Sequence, residues 1–111
     1  MKNPSKIFRF KLSAADEKGA ILLPPGATIL SAQIMPSGPC IFALCPSPSL
    51  EPTEKHFFAR VKTGEDAPEW LGDCRFLGTL VMTTLTNPLV PIVEHIFEIS
   101  ENEANALAIG V

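Results

Sequence analysis

Alternation of apolar and polar side chains is the clearest pattern along the chain. In residues 6–12, Phe8, Phe10 and Leu12 share one face of an extended segment, and Ile7, Arg9 and Lys11 share the other face. A period of two residues predicts a β-strand with one buried face. Strand patterns of this kind, or short apolar runs, recur at 20–23, 28–35, 40–45, 54–62, 75–82 and 92–99.

Turn residues separate these segments at short intervals. The chain of 111 residues contains 11 prolines and 7 glycines, and proline is poorly tolerated inside helices because it lacks a backbone donor. Pro24-Pro25-Gly26 ends one strand, and Gly26 can adopt the positive φ of a tight turn. No helical pattern lies between the strands, which argues against βαβ units. We therefore predict an all-β fold, a small antiparallel β-sandwich or barrel of about seven strands.

The domain organisation is predicted to be simple. We expect a single domain over residues 1–111, with a core over about 6–99, because the proline-rich segment 46–52 is short for a linker and its flanking halves are small. Ser100 and Glu103 have the spacing of a capping box, which predicts a short helix over 100–111, with a ragged tail as the alternative. Gly78 inside a strand predicts a bulge or a close backbone approach.

Composition narrows the classes of function. With a net charge of −3, the chain lacks the strongly basic surface that is typical of proteins that bind duplex nucleic acid. No apolar run reaches the ~20 residues that cross a bilayer, and no secretory signal follows the basic N-terminus. We expect a cytoplasmic protein without membrane contact. Three cysteines, Cys40, Cys45 and Cys74, cannot all pair within the chain, which favours free thiols in a reducing compartment.

No residue pattern predicts catalysis, a metal site or a cofactor. Cys74 with His56 or His95 is the only imaginable nucleophile–base set, and nothing marks the thiol as reactive. His95 lies between Val93 and Phe97, where a packed, hydrogen-bonded histidine is the simpler interpretation. We therefore predict no enzymatic activity, no metal and no cofactor.

Two strands carry cations interleaved with aromatic rings, the pattern of surfaces that bind anionic, planar ligands. The alternative is a solvated strand face, and the absence of tyrosine weakens the case for a generic recognition surface. The candidate binding residues are His56, Phe58, Arg60 and Lys62 on one strand and Arg9 and Lys11 on another.

Aromatic side chains define the predicted core. Phe8, Phe10, Phe57 and Phe97 occupy apolar faces and are expected to meet in one cluster, while Phe58 is expected outside, on the basic face. An open sheet also leaves edge strands unpaired, and a domain of this size buries a modest share of its surface. We therefore predict a homodimer or a higher homo-oligomer.

Several segments in a fixed order resemble an uncharacterised family of small proteins encoded by tailed phages and prophages. The resemblance spans roughly residues 6–99 and implies a phage accessory protein in the cytoplasm of a bacterial host, without a known activity. The segments that carry it are Lys6-Ile-Phe-Arg-Phe-Lys-Leu12, Leu23-Pro-Pro-Gly-Ala-Thr-Ile-Leu-Ser-Ala-Gln33, Cys40-Ile-Phe-Ala-Leu44, Phe76-Leu-Gly-Thr79 and His95-Ile-Phe-Glu98.

Two functional hypotheses follow from these observations. The first is a non-enzymatic accessory protein that binds and inhibits or sequesters a host protein, a defence component by analogy with other small phage proteins. The second is an oligomeric sponge for a small anionic, nucleotide-like ligand, with His56, Phe58, Arg60 and Lys62 as the binding face. A Cys/His-dependent enzyme is a third, weaker alternative.

Overall fold

The computed structural model describes residues 4–83 and 91–108, and residues 1–3, 84–90 and 109–111 lie outside the description. The last three residues of the predicted helix or tail therefore remain untested. The described chain contains two 3-10 segments, at Leu12–Ala14 and Glu69–Asp73. The regular elements are β1 (Lys6–Lys11), β2 (Ala20–Leu23), β3 (Thr28–Met35), β4 (Gly38–Cys45), β5 (Glu54–Lys62), β6 (Arg75–Met82), β7 (Ile92–Ile99) and α1 (Glu101–Ala108).

The strands form two antiparallel sheets. The three-stranded sheet has the order β1-β4-β3, and the four-stranded sheet has the order β2-β5-β7-β6. Every described strand pairing is antiparallel. The all-β prediction with seven strands is confirmed, and the architecture is the predicted sandwich. The alternative of a closed barrel is wrong.

An apolar core lies between the two sheets. β4 runs through the middle of the three-stranded sheet, and its Ile41, Ala43 and Cys45 have no exposed surface. Removal of such side chains from water is the main driving force for packing the sheets together. The inter-sheet core consists of Leu12, Ile21, Leu23, Ile29, Ala32, Ile41, Ala43, Cys45, Phe58, Leu77, Leu80 and Ile96.

A second apolar cluster covers the outer face of the four-stranded sheet. Leu71 of the second 3-10 segment and Ala104 of α1 pack there against Phe57, Ala59 and other strand residues. Trp70 is half-buried against the same cluster. The four-stranded sheet is therefore covered on both faces, whereas its sequence pattern had indicated one buried face.

The aromatic side chains divide between these two clusters. Phe57 and Phe97 belong to the outer cluster, while Phe10 packs against the inter-sheet core. Phe8 is 38% exposed. The expectation of a single aromatic cluster is wrong. The two sheets enclose one apolar cluster, and the four-stranded sheet encloses another with α1 and the second 3-10 segment.

The helix α1 begins at the predicted capping box. The Glu103 backbone N–H donates to Ser100 Oγ at 3.1 Å, and the Ser100 N–H donates to Glu103 Oε1 at 2.8 Å. This reciprocal pair satisfies two helix-terminal donors. It also holds the pKa of the Glu103 carboxyl below its ordinary value, chiefly through the Ser100 N–H. Across residues 4–83 and 91–108, no helix combines the length and apolarity needed to cross a membrane.

Gly78 lies where the two sheets approach most closely. The register of β6 against β7 shifts between Phe76 and Gly78, so both a bulge and a close approach are present. A Cβ atom built on Gly78 would lie 2.6 Å from the carbonyl oxygen of Ala32 in β3. The strand glycine is thus required by contact between the sheets, as predicted.

Replacement of Gly78 by alanine is expected to lower the free energy of unfolding by about 1–3 kcal/mol, the usual cost of overpacking. The new methyl group would press against backbone atoms of a packed sheet, which cannot move aside as a flexible side chain can. Gly72→Ala is the matched control, because a Cβ built there has no atom within 4 Å among the described residues, its chain neighbours aside. Equal stabilities of the two variants in urea unfolding would contradict the close approach.

Candidate functional site

The predicted aromatic–basic face of β5 points into the sandwich. His56, Phe58, Arg60 and Lys62 do share one face, and the register places this face beside buried Ile96 of β7. Phe58 is only 5% exposed and belongs to the inter-sheet core. The expectation that Phe58 lies outside is wrong. Since both faces of this sheet are covered, the ring at the centre of β5 is buried whichever way it points.

The cationic side chains of this face reach the rim of the sandwich, as long polar side chains can. Arg60 donates from Nε and Nη2 to Glu94 Oε1, at 3.0 and 2.6 Å. Glu94 is itself 8% exposed, and a buried carboxylate of this kind needs such a partner. Lys62 is exposed at the end of β5. The charge of Arg60 is therefore used in an ion pair within the fold.

The imidazole of His56 is also engaged by β7. Its Nδ1 lies 3.4 Å from Glu98 Oε2, and Glu98 Oε1 accepts a 3.5 Å hydrogen bond from Arg75 Nη1. The His56 side chain is 16% exposed. Of the predicted residues on β5, His56, Phe58 and Arg60 therefore lie in the sandwich interior or at its rim, whereas Lys62 is exposed.

Cys74 is not hydrogen-bonded to either histidine. Its Sγ donates to the Trp70 carbonyl oxygen at 3.6 Å and to Glu103 Oε2 at 3.4 Å. Burial, and then the hydrogen bond and negative charge of Glu103, raise the pKa of the Cys74 thiol. A raised pKa disfavours the thiolate, which is the nucleophilic form. The imagined pairs of Cys74 with His56 or His95 are not formed.

His95 is half-buried on the outer face of the four-stranded sheet. Its Nε2 lies 2.8 Å from Thr63 Oγ1, and its Nδ1 lies 2.9 Å from Thr79 Oγ1. Both ring nitrogens therefore have hydroxyl partners. This is the packed, hydrogen-bonded histidine that the sequence indicated.

Arg9 and Lys11 line a groove between the edges of the two sheets. β1 is the last strand of the three-stranded sheet and β2 is the last strand of the four-stranded sheet. The groove between them encloses about 630 Å³. We call it the cationic groove, and its lining residues are Arg9, Phe10, Lys11, Ala14, Asp16, Ala20, Ile21, Leu22, Pro52 and Lys55.

Three cations and one carboxylate surround the cationic groove. Asp16 Oδ1 accepts the backbone N–H groups of Ala20 at 3.0 Å and Lys18 at 2.9 Å. These two bonds, with the charge of Lys55, hold the pKa of the Asp16 carboxyl below its ordinary value. The Asp16 charge is thus used within the turn that leads into β2. In the described ranges, the ion pairs do not involve Arg9, Lys11 or Lys55.

The groove combines charged side chains with apolar side chains and with backbone groups of an edge strand that pair with no neighbouring strand. Leu22 is 50% exposed, Phe10 is half-buried and Ile21 is buried. Within the described chain, β1 and β2 each pair with a strand on one side only. In β2 the outward N–H and C=O of Ala20 are bonded to Asp16, so the β1 edge is the one that can accept an extended peptide as an additional strand. The volume also suits a small ligand. The described part of the chain contains no cluster of three Cys, His, Asp or Glu side chains suited to a metal ion.

Lys55 and Leu22 are functional candidates that the sequence pattern did not single out. Arg9 and Lys11 were selected because they alternate with phenylalanines in one strand. Lys55 follows a proline-rich loop and Leu22 belongs to a four-residue strand, so neither stands out locally. They join the basic residues of β1 only because the two sheet edges lie side by side.

Comparison with known proteins identifies the family of the chain. Residues 3–106 match the model of a domain of unknown function, DUF7352, and the chain belongs to this family. This agrees with the resemblance to an uncharacterised family. Neither a curated protein nor a solved structure shows significant similarity to the chain.

Truncation of Phe58 to alanine is expected to cost about 3–5 kcal/mol of unfolding free energy, as for other buried phenylalanines. Phe76→Ala is the matched control, because the Phe76 side chain is 55% exposed and its loss should leave a smaller effect. Urea unfolding monitored by circular dichroism measures both. A Phe58→Ala variant as stable as Phe76→Ala would contradict the burial of this ring.

Replacement of Asp16 by alanine is expected to lower the melting temperature more at neutral pH than in acid. Because folding lowers the pKa of Asp16, its contribution is complete above the unfolded-state pKa, near pH 4, and is lost as the pH falls through the folded-state value. Thermal unfolding of wild type and variant at about pH 7 and about pH 2.5 tests this sign. Glu17→Ala, at an exposed neighbouring position, is the control. A difference in melting temperature between wild type and Asp16→Ala that does not change with pH would refute the lowered pKa of Asp16.

Proposed function

We propose that this member of the DUF7352 family is a non-enzymatic binding protein whose cationic groove holds an extended, acidic segment of a partner protein. The observation that carries the proposal is the placement of the open β1 edge in a groove lined by Arg9, Lys11 and Lys55. A basic groove with a hydrogen-bonding edge suits a chain that offers both carboxylates and backbone.

Strand addition explains how such a segment would be held. Backbone N–H and C=O groups of the added strand would pair with an edge and provide affinity, while alternate side chains provide specificity. Leu22 and Lys55 are cross-strand partners and therefore share one face of the sheet. A carboxylate and an apolar side chain on the same face of the added strand can thus meet Lys55 and cover the exposed Leu22.

The resemblance to proteins of tailed phages and prophages supports a bacterial host protein as the partner. A small phage protein that occupies an acidic segment of a host protein would act in the host cytoplasm, by inhibition or sequestration. A component of host defence is the partner class that we propose. This step rests on analogy between small phage proteins.

A small anionic ligand is the second candidate for the same groove. Its volume of about 630 Å³ falls within the ~300–1,000 Å³ of ligand pockets, and three cations would suit a phosphorylated compound. The burial of Phe58 removes the aromatic platform that favoured a nucleotide, and Phe10 is the remaining ring in the groove. The open edge of β1 therefore favours the peptide.

Charge reversal in the groove tests the proposal. An eight-residue fluorescein-labelled peptide of alternating glutamate and valine is expected to bind, with an affinity that falls at high salt because the attraction is electrostatic. Lys55→Glu is expected to weaken binding by about tenfold or more, equivalent to about 1.4 kcal/mol. Lys62→Glu is the matched control, since Lys62 is an exposed cation outside the groove. Fluorescence anisotropy measures each affinity.

Two further ligands distinguish the alternatives. A lysine–valine peptide of the same length should not bind. Thermal shifts with ATP and with cyclic dinucleotides report the small-ligand function, and a shift that Lys55→Glu abolishes, without peptide binding, would favour that function. Failure of every probe to bind, or equal losses in Lys55→Glu and Lys62→Glu, would overturn the groove as the site.

A further inference from the structure

The side of the sandwich opposite the cationic groove is formed by β3 and β6. β3 is the last strand of the three-stranded sheet and β6 is the last strand of the four-stranded sheet. In the described ranges each pairs with one neighbour, so both present a row of backbone groups on their outer edge. An open edge of this kind is a template for pairing with another strand.

Neither edge carries the charges that usually prevent such pairing. Proteins protect open edges with charged residues, proline or β-bulges, and each of these two edges has a register shift, between Ile29 and Ser31 in β3 and between Phe76 and Gly78 in β6. β3 contains no charged residue, and β6 contains none from Phe76 to Met82, whereas six-residue β1 contains three cations. Large apolar side chains are exposed along both edges instead: Leu30 at 42%, Ile34 at 40%, Phe76 at 55% and Val81 at 58%.

The two edges also match in length and position. β3 and β6 have eight residues each, so their midpoints lie at Ser31–Ala32 and at Gly78–Thr79. The Gly78 backbone is in contact with Ala32, since a Cβ built on Gly78 would lie 2.6 Å from its carbonyl oxygen. The midpoint of one edge is therefore stacked on the midpoint of the other.

We propose that this side is the interface of a homodimer, with a two-fold axis perpendicular to both sheets through the stacked midpoints. Such an axis pairs β3 with β3 of the partner subunit and β6 with β6 of the partner subunit, both antiparallel. The three-stranded sheets then join into one sheet of six strands, and the four-stranded sheets join into one of eight.

A second copy fits these edges better than another partner does. A single two-fold axis can pair both strands with their copies at once, because the midpoints of β3 and β6 coincide. A different protein would need two open edges with the same relative position. An uncharged edge meets its own copy without repulsion, whereas like charges placed opposite one another across a pair of β1 edges would be destabilising. Two-fold dimers with self-complementary surfaces are also the commonest homo-oligomers.

The size of this side indicates a dimer that dissociates on dilution. Eight residues span about 26 Å at ~3.3 Å per residue, and two layers ~10 Å apart with their outer side chains are about 20 Å thick. The contact then buries about 500 Å² per subunit, or about 1,000 Å² in total, at the lower end of specific interfaces. The cationic grooves remain on the two far sides of the dimer.

Light scattering after size exclusion measures the mass of the wild-type protein and its variants. At high concentration the wild type is expected to approach twice the 12.0 kDa of the chain. Val81→Lys is expected to give 12.0 kDa at concentrations where the wild type is dimeric. Ile7→Lys is the matched control, because Ile7 is 60% exposed but lies on β1, and it should remain dimeric. Circular dichroism verifies that both variants are folded.

Charge complementation at the axis tests the symmetry. Ser31 is one of the two residues at the midpoint of β3, and opposite residues of an antiparallel pair point to the same face. The axis must therefore pass beside a single residue, and an axis at Ser31 places residue 31 of each copy opposite residue 31 of the partner in the proposed dimer. Ser31→Lys and Ser31→Glu are each expected to be monomeric, while an equimolar mixture regains the dimer mass because opposite charges then meet. Hydrogen exchange should show protection of β3 and β6 amides in the wild type that folded Val81→Lys lacks.

A mass of 12.0 kDa for the wild type at all concentrations would overturn the dimer. A dimer that persists in folded Val81→Lys and Ser31→Lys, or a mixture of the Ser31 variants that stays monomeric, would overturn this interface. Binding of the glutamate–valine peptide does not depend on dimer formation, so failure of the dimer and failure of the cationic groove are separate results.

Discussion

Coverage of the four-stranded sheet on both faces is the constraint on which the rest of the structure depends. The three-stranded sheet packs on one face, and α1 with the second 3-10 segment packs on the other. Alternate residues of β5 therefore enter two different apolar clusters, as Phe57 and Phe58 do. Polar groups in this sheet must then be paired or reach the rim, because a buried charge without a partner is costly. The ion pair of Arg60 with buried Glu94 is the direct consequence.

Open backbone groups of the two sheets are left at the sides of the sandwich. Backbone donors and acceptors within a sheet are used by neighbouring strands, and only edge strands retain open ones. The two sides differ in charge, since β1 carries three cations while β3 carries none. A basic edge attracts acidic partners and repels its own copy, and an uncharged edge allows self-pairing. One fold can thus separate binding of a partner from assembly with itself.

The contact between the sheets at Gly78 bears on both proposed roles, binding of a partner and assembly with a second copy. The carbonyl oxygen of Ala32 occupies the space that a side chain at position 78 would need, so the sheets are closest at the β3–β6 side. That contact aligns the midpoints of two edges that are far apart in sequence. On the other side, β1 and β2 are separated enough to leave a groove of about 630 Å³. The absence of a side chain at Gly78 permits the close contact on the β3–β6 side.

The sequence alone determined the features that depend on near neighbours. Alternation identified the strands, the spacing of Ser100 and Glu103 identified the capping box, and Gly78 marked a close approach, because each signal is local in the chain. A period of two residues shows which side chains share a face, but it cannot show what covers that face. For this reason the burial of Phe58 was missed, although its shared face with Arg60 was predicted correctly. Only the tertiary structure brought Lys55 and Leu22 beside Arg9 and Lys11, because the groove arises from two strand edges that are joined through packing of the sheets and not through any pattern in one segment.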